Sequence, residues 1–342
     1  MRLRELFLSL LLASGLSSCG LPSNPQTPPE VLVTALGSTT SSGEARGFAI
    51  PFGNDPGSLS SQPLPADLTL WGAAVADSTL ILLARTGSSG GEFLLSPLPL
   101  SPAGPVTVTG LTGTPYALAV SGQVVVVLET TTSFPEGCLQ TFSVGSLISL
   151  SLTGGSVTPL SSCQGLPPGS NPLKGGLLLP MADGVEFLVG ALYGASSPLD
   201  LLLYPLSTVI DGASLSSPQN TWTTVGSYNG GTPLSGVALS SLLLLPDPTS
   251  PAVDLYQVTT LYNGGGGTLE PLSKTSLSLP APPTLLSVDP AQNFLMAGSS
   301  GSVSLFGLGA VLSPPGTLGA LGDIPALSGL SLGAMAIYTG SS

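Results

Sequence analysis

The sequence predicts an all-β fold: a six-bladed β-propeller of four-stranded antiparallel blades, closed by the C-terminal strand pairing with N-terminal strands. Three observations carry the prediction. Apolar runs of strand length return between turn signals along the chain, the runs align as six copies of one unit, and the copy left incomplete at one end is completed at the other. Thr284 to Leu308 is the plainest copy: Leu285 to Val288 ends at Asp289-Pro290, Phe294 to Ala297 ends at Gly298-Ser299-Ser300-Gly301, and Val303 to Leu308 follows. One such meander cannot bury its own faces and therefore needs neighbours of its kind. A sandwich of two sheets and an open β-solenoid are the competing architectures.

The second strand of each unit reads VLVTAL (31–36), TLILLA (79–84), VVVVLE (124–129), VEFLVG (185–190), LLLLP (242–246) and FLMAG (294–298). The third reads GFAIPF (47–52), FLLSPL (93–98), LQTFSV (139–144), LLLYPL (201–206), LYQVTT (255–260) and VSLFGL (303–308). Pro51, Pro97 and Pro205 recur at one place in the third strands, where a residue without an N–H fits a strand end, bulge or edge. The residues just before these strands, Arg46, Glu92, Cys138, Asp200, Asp254 and Ser302, are 46 to 62 apart, a length that suits four-stranded units with variable loops. Innermost strands precede them as AAV (73–75), ALAV (117–120), LLLPM (177–181), VALS (237–240) and LLSV (285–288), small and apolar as a crowded centre requires. The sixth is missing before Val31, but Met335-Ala336-Ile337-Tyr338 matches it, so the C-terminal strand supplies the inner strand of the first blade and leaves no open edge.

Composition agrees with a packed chain that is rich in turns. Of 342 residues, 42% are hydrophobic and 7% charged, with Gly 45 and Pro 34. A glycine and proline content this high reads as low complexity in an aperiodic chain, but the returning Leu/Val/Ile runs argue for a core.

Residues 1–18 read as an export signal and not as fold. Arg2 and Arg4 are followed by the apolar run Leu6 to Gly15, too short for a permanent bilayer span, and then by small residues. Leu16-Ser17-Ser18-Cys19 resembles the lipobox of bacterial lipoproteins. The resemblance implies cleavage before Cys19, which becomes the new N-terminus, diacylation of its sulfur with palmitate-type chains, and stable membrane anchoring by two or three acyl chains. Gly20 in the next position, rather than Asp, implies the outer membrane or the cell surface and not the inner membrane. Residues 19–29, with four prolines between Leu21 and Glu30, read as a semi-rigid tether, and residues 30–342 as the propeller. Removing Arg2, Arg4 and Glu5 takes the formal net charge from −12 to −13. With Arg46, Arg85, Lys174 and Lys274 as the remaining cations, nucleic acid is excluded as a partner. The ring closes within one chain, so a monomer is expected.

Ser287-Val288-Asp289-Pro290-Ala291, Asn293 to Gly298 and Ser302 to Phe306 together resemble a blade of the lactonase-like and surface-layer β-propellers. The resemblance covers about twenty residues well and the other copies by pattern. It implies the fold more strongly than an activity, because propellers host enzymes, scaffolds and binding proteins alike. Lactonase-type chemistry would place charged or histidine residues at the central face, and none can be matched residue by residue.

The chain contains no histidine, which removes Ser-His-Asp and Cys-His catalysis and every His-ligated metal site. Gly87-Ser88-Ser89-Gly90-Gly91 fits G-x-S-x-G but lies between two strands and reads as a hairpin loop. Gly264 to Gly267 lack a following Lys-Ser/Thr and helix, so they are turn material and not a phosphate cradle. Glu92, Asp200 and Asp254 share one repeated position, with Glu44 and Glu136 two places before it in other copies. On third strands roughly 15–20 Å from the axis they are too far apart to share a cation, so they are expected to solvate a rim. Trp71 and Trp222 read as core or strand-face residues. No catalytic residue, cofactor or metal site is assigned.

Cys138 and Cys163 remain once Cys19 is assigned to lipid. Cys138 starts its third strand and Cys163 follows a fourth expected from about Leu147 to Thr158. A disulfide suits an oxidising envelope, with free thiols or a redox pair as the alternatives. The sequence thus supports a lipid-anchored envelope propeller that is a non-enzymatic scaffold for a protein or glycan. The competing readings are a diverged lactonase-like hydrolase using carboxylates or a bound cation, and an accessory lipoprotein of outer-membrane assembly. Tyr262 in Leu261-Tyr262-Asn263 and Tyr228 in Ser227-Tyr228-Asn229 are candidate contact residues on loops, or else cap strand ends.

Overall fold

The computed structural model describes residues 30–37, 43–50, 58–87, 90–168, 171–299, 301–313, 316–324 and 330–338. The leader, Cys19, the tether, Pro51, Ser88, Ser89 and the last four residues lie outside these. The chain folds as an all-β propeller. Its described strands form six sheets of four or five strands and one two-stranded ribbon.

In chain order, the first sheet joins Leu330–Tyr338, Glu30–Gly37, Glu44–Ala49 and Ser60–Pro63. Tyr338 lies opposite Glu30 and Leu330 opposite Gly37, so the two ends of the chain share one sheet. The second runs Leu68–Ala76, Thr79–Thr86, Gly90–Pro97 and Val106–Thr109, and the third Thr114–Ser121, Val124–Thr130, Cys138–Ser143 and Ser161–Gly165. Leu173–Pro180, Glu186–Tyr193, Leu199–Pro205 and Asn220–Thr224 make the fourth. The fifth holds Val237–Ala238, Leu242–Pro246, Ala252–Gln257 and Ser273–Ser276, and the sixth Leu285–Val288, Phe294–Ser299, Ser302–Gly307 and Gly322–Ile324. The first-named strands contact one another in this order, and Leu285–Val288 contacts Leu330–Tyr338 to complete the cycle.

The core lies between successive sheets. Phe93 of the second sheet meets Phe142 of the third edge to face, 5.1 Å apart, an arrangement that adds about 1 kcal/mol to the burial of both rings. Phe48, Leu285, Met296, Leu305 and Met335 fill the gap between the sixth sheet and the first, and Ala45, Leu70, Leu82, Leu94 and Ala334 that between the first and second. Near the axis the backbones approach closely. A Cβ on Gly72 would stand 2.8 Å from the Leu118 Cβ of the next inner strand, and one on Gly333 2.8 Å from the Leu70 Cβ. Gly72→Val is therefore expected to cost about 1–3 kcal/mol by overpacking, read as a lower midpoint in urea unfolding with the slope unchanged.

Three features depart from the sequence expectation. The third strands of four units run into one-turn helices: α1 (Val144–Ser149), α2 (Leu206–Ile210), α3 (Val258–Asn263) and α4 (Leu308–Leu312). Each buries an apolar pair three apart, except that in α2 Leu206 is half-buried and Val209 buried. The first N–H of each donates back to the residue before the second strand, as Val144 does to Gln123 and Leu308 to Asn293. In the third unit this helix occupies the first part of the fourth strand expected over 147–158. The strand is Ser161–Gly165, and Cys163 sits within it rather than after it.

Two sheets also have a fifth strand, not four. Gly155–Ser156 pairs parallel with Val106–Thr109 of the preceding sheet, and Gly267–Leu269 with Asn220–Thr224. Leu277 and Leu318 make an isolated parallel bridge of the same kind between the fifth and sixth units. Each connector is thus hydrogen-bonded to its neighbour's outer edge. Among the described residues no helix is long and apolar enough to cross a membrane.

Candidate functional site

The inner strands surround a channel of about 420 Å³ that extends to the Asp289-Pro290 turn on the face carrying the helices. Ala74, Ala119, Leu178, Ala238, Leu286 and Ala336 represent the six strands in its lining, small or aliphatic because six strands converge there. Asp289 is the one titratable residue among those lining it. Its Oδ1 accepts the N–H of Asn293 at 2.7 Å and of Phe294 at 2.6 Å, so the carboxylate closes the turn into the second strand.

Charge is instead gathered off the axis. In the fifth sheet Asp247-Pro248-Thr249-Ser250 turns back on its own aspartate. Thr249 donates its N–H and hydroxyl to Asp247 Oδ1, both at 2.8 Å, and Ser250 donates its hydroxyl to Oδ2. Lys274 on the outer strand donates to the same Oδ2 at 2.5 Å and lies 3.7 Å from Asp254 Oδ1. Burial alone raises the Asp247 carboxyl, but these donors outweigh it and hold it at about 2. Asp254 has fewer donors. Burial pushes it up to about 6, the Asp247 charge adds to the rise, and Lys274 opposes it.

Asp254 is therefore not a rim-solvating acid: it is 4% exposed because the outer strand covers it. A carboxyl raised in the folded state contributes most when protonated. Stability from this group is present below about pH 4 and is lost as pH rises through about 6. Asp254→Asn is expected to unfold like the parent at pH 4 and to be about 1–2 kcal/mol more stable at pH 7.5, measured by urea unfolding at both pH values.

The other acids of the repeated position do not converge either. Glu92 is half-buried and raised by that burial, Asp200 accepts the Thr223 hydroxyl at 2.8 Å, and Glu44 pairs with Arg46 at 2.8 Å. Glu136 is half-buried. Trp71 and Trp222 are buried. Arg85 lies against the Trp71 ring, 3.4 Å from its centroid, and 4.1 Å from that of Tyr116, while its Nε donates to the Pro115 carbonyl at 2.7 Å. Burial lowers this guanidinium to about 10, against the opposing effect of Tyr116. The contact ties the second sheet to the third.

Cys138 and Cys163 form a disulfide with their Cα atoms 5.5 Å apart. Glu129, opposite Cys138 in the ladder, is fully buried beside it. Its Oε1 accepts the Thr112 hydroxyl at 2.6 Å, and its Oε2 the Gly113 N–H at 3.0 Å. Cys163 Sγ is 3.3 Å from Oε1, a van der Waals contact because a disulfide sulfur carries no proton. Burial raises this carboxyl although the hydrogen bonds from Thr112 and Gly113 lower it. Among the described residues, Glu129, Cys138 and Cys163 are the one grouping of three acid or thiol ligand atoms within 4.8 Å, and its sulfurs are bonded to each other.

The loop tyrosines are not free contact residues. Tyr228 is 3% exposed and donates to the Pro246 carbonyl, and Tyr262 lies in α3 and donates to Asp183 Oδ2 at 2.8 Å. The ribbon Ser196–Ser197 with Tyr228–Asn229 packs Tyr228 inward. Gly266, at φ +90°, lets the connector approach the Thr221 carbonyl, in keeping with turn material. Asp247 and Glu129 have no role in the sequence expectation, and Arg85 enters it only as a cation. Asp247 was readable from Asp-Pro-Thr-Ser, a turn that hydrogen-bonds its own aspartate. Glu129 and Arg85 carry no local signal, because both end apolar strands and gain their partners from other segments.

No protein-family model matches the chain, and no curated protein matches it. Among solved structures, it is similar over 89% of its length to a "putative 6-phosphogluconolactonase" from Bacteroides fragilis, with 14% identity, a TM-score of 0.49 and 83% of that chain covered. The same description from Bacteroides uniformis aligns with 88% of this chain and 83% of its own, at 14% identity and a TM-score of 0.49. The computationally designed Ika8 protein aligns over 91% of both chains at 11% identity, with a TM-score of 0.41.

Proposed function

We propose that the chain is a lipid-anchored β-propeller of six blades in the cell envelope that presents a loop face to a protein or glycan and carries out no chemistry itself. The channel lining is the observation that supports this most. Hydrolysis needs a positioned base and donors aimed at developing charge. The channel holds one carboxylate, and that carboxylate binds two backbone amides. The raised acids Asp254, Glu92 and Glu129 lie within sheets, away from the channel, Asp254 beneath Lys274. The count of six rests on six sheets of four or five strands whose inner strands touch in cyclic order. Anchoring rests on Leu16-Ser17-Ser18-Cys19 behind an apolar run, and Gly20 rather than Asp after it supports the outer membrane or cell surface.

The face away from the helices suits a partner. Two clefts of about 350 and 270 Å³ border the segment 228–234 there. Thr232, Thr284 and Asn229 supply polar groups, and Pro233, Pro248, Pro282 and Pro283 supply walls that lose little entropy on binding. Purified protein is expected to show no turnover on a panel of lactones and esters, with and without divalent cations, and to retain an envelope protein or glycan in pull-downs that Thr232→Trp weakens. Metal-dependent turnover that disappears on mutating one carboxylate would replace this reading with the hydrolase.

A further inference from the structure

We infer that the face carrying the short helices rests on a lipid surface, with a ring of leucines seated at headgroup level; this rests on the anchoring at Cys19 proposed above. Leu59, Leu160, Leu272 and Leu321 each stand immediately before an outer strand, in four different sheets. Their N–H groups make the same bond, to the carbonyls of Gly47, Thr141, Leu255 and Leu305 on the third strands. Their backbones are thus fixed in equivalent places, yet their side chains are 56–65% exposed. Packing does not call for leucine there, since Gln219 occupies the position in the fourth sheet and makes the same backbone bond to Leu203. Leu152, beyond α1, and Val185, in a turn between inner and second strands, add 82% and 60% exposed apolar side chains to the same face. Of the large apolar residues exposed among the described residues, Val225 alone, after an outer strand, belongs to the other face.

The occupant follows from where the tether joins. Second strands begin on the helix face, and Glu30 begins the second strand of the first sheet. Ten residues lie between it and Cys19, and the eleven steps reach at most about 40 Å, so this face is the one drawn toward the anchor. A perimeter of separate leucines around a broad face matches shallow insertion at an interface better than a deep groove for a peptide. Asp77, Asp183 and Asp211 are exposed on the same face, whereas Arg85 and Lys174 lie toward the opposite ends of their strands, Arg46 is paired with Glu44 in mid-strand, and Lys274, two residues from Leu272, is paired with Asp247 and Asp254. The surface expected is zwitterionic and not anionic lipid.

The test uses the full chain, expressed with its leader and bound to phosphatidylcholine vesicles. Material that mass spectrometry finds without acyl groups is first coupled through Cys19 to a maleimide lipid, so failure of the anchoring reading is separated from failure of this one. Hydrogen exchange should slow about fivefold or more around residues 150–160, 183–186, 270–273 and 319–322, with the 228–234 clefts unchanged. The slowing should be smaller with phosphatidylglycerol. Replacing the four ring leucines together by Gln should abolish it while thermal unfolding stays within about 3 °C of the parent, as surface changes allow. Slowing on the cleft face, slowing that survives the four substitutions, no slowing, or the same pattern in lipid-free protein that self-associates in sedimentation would each overturn the inference.

Discussion

A chain lacking residues 330–342 is expected to lose cooperative unfolding altogether. Leu330–Tyr338 supplies the inner strand of the first sheet and pairs with Glu30–Gly37 along eight register positions. It also carries Ala334, Met335 and Ala336, all buried, into contact with the second and sixth sheets. Its loss bares an inner edge of the first sheet and opens two sheet-to-sheet interfaces at once. Burial of those side chains and the ladder are together worth about 5–10 kcal/mol, comparable with the whole stability of a typical domain. Circular dichroism during urea titration should show a broad, shallow transition, and gel filtration should show association through the exposed edge. A truncated chain that unfolds as sharply as the parent would refute closure by this strand.

Replacing Cys138 and Cys163 by Ser is expected to cost about 3–4 kcal/mol, from the loop entropy of a 25-residue separation. In thermal unfolding that corresponds to a fall of about 5–10 °C, which excess reductant should reproduce on the parent. The bond joins the third strand of its sheet to the outer strand, whose ladder with Cys138–Ser143 is interrupted by a register shift between Leu139 and Thr141. The outer strand therefore relies on the cross-link more than an uninterrupted ladder would. An unchanged midpoint under reduction would show that the strand is held by packing alone.

Most of the architecture was legible because it is periodic. Apolar runs such as Leu80 to Leu83 and Val125 to Leu128 are fully buried strands, and Asp289-Pro290 marks a turn in both sequence and structure. The matching ends, Val31 and Ile337, are neighbours in the ladder. What escaped was too short or too long-range to leave a pattern. A helix of five or six residues shows a single apolar pair, Val144 with Leu147 or Leu308 with Val311, which does not establish a helical period. Gly155–Ser156 has no apolar content, and its pairing is set by a strand forty-six residues away. Asp254 looked like its counterparts Glu92 and Asp200, and what distinguishes it is Lys274 and the outer strand laid over it. Tyr228 and Tyr262 read as loop residues in Ser227-Tyr228-Asn229 and Leu261-Tyr262-Asn263, whereas their exposure is decided by the ribbon and by Asp183.

The pairing of Glu30–Gly37 with Leu330–Tyr338 also sets a timetable for a chain synthesised from its N-terminus. The first strands to emerge wait for their inner neighbour until nearly all of the polypeptide has followed. Every later sheet except the first can assemble from adjacent segments as it appears, so ring completion is the final and most non-local event. Until then one edge of Glu30–Gly37 is an open template that the rest of the fold does not cover.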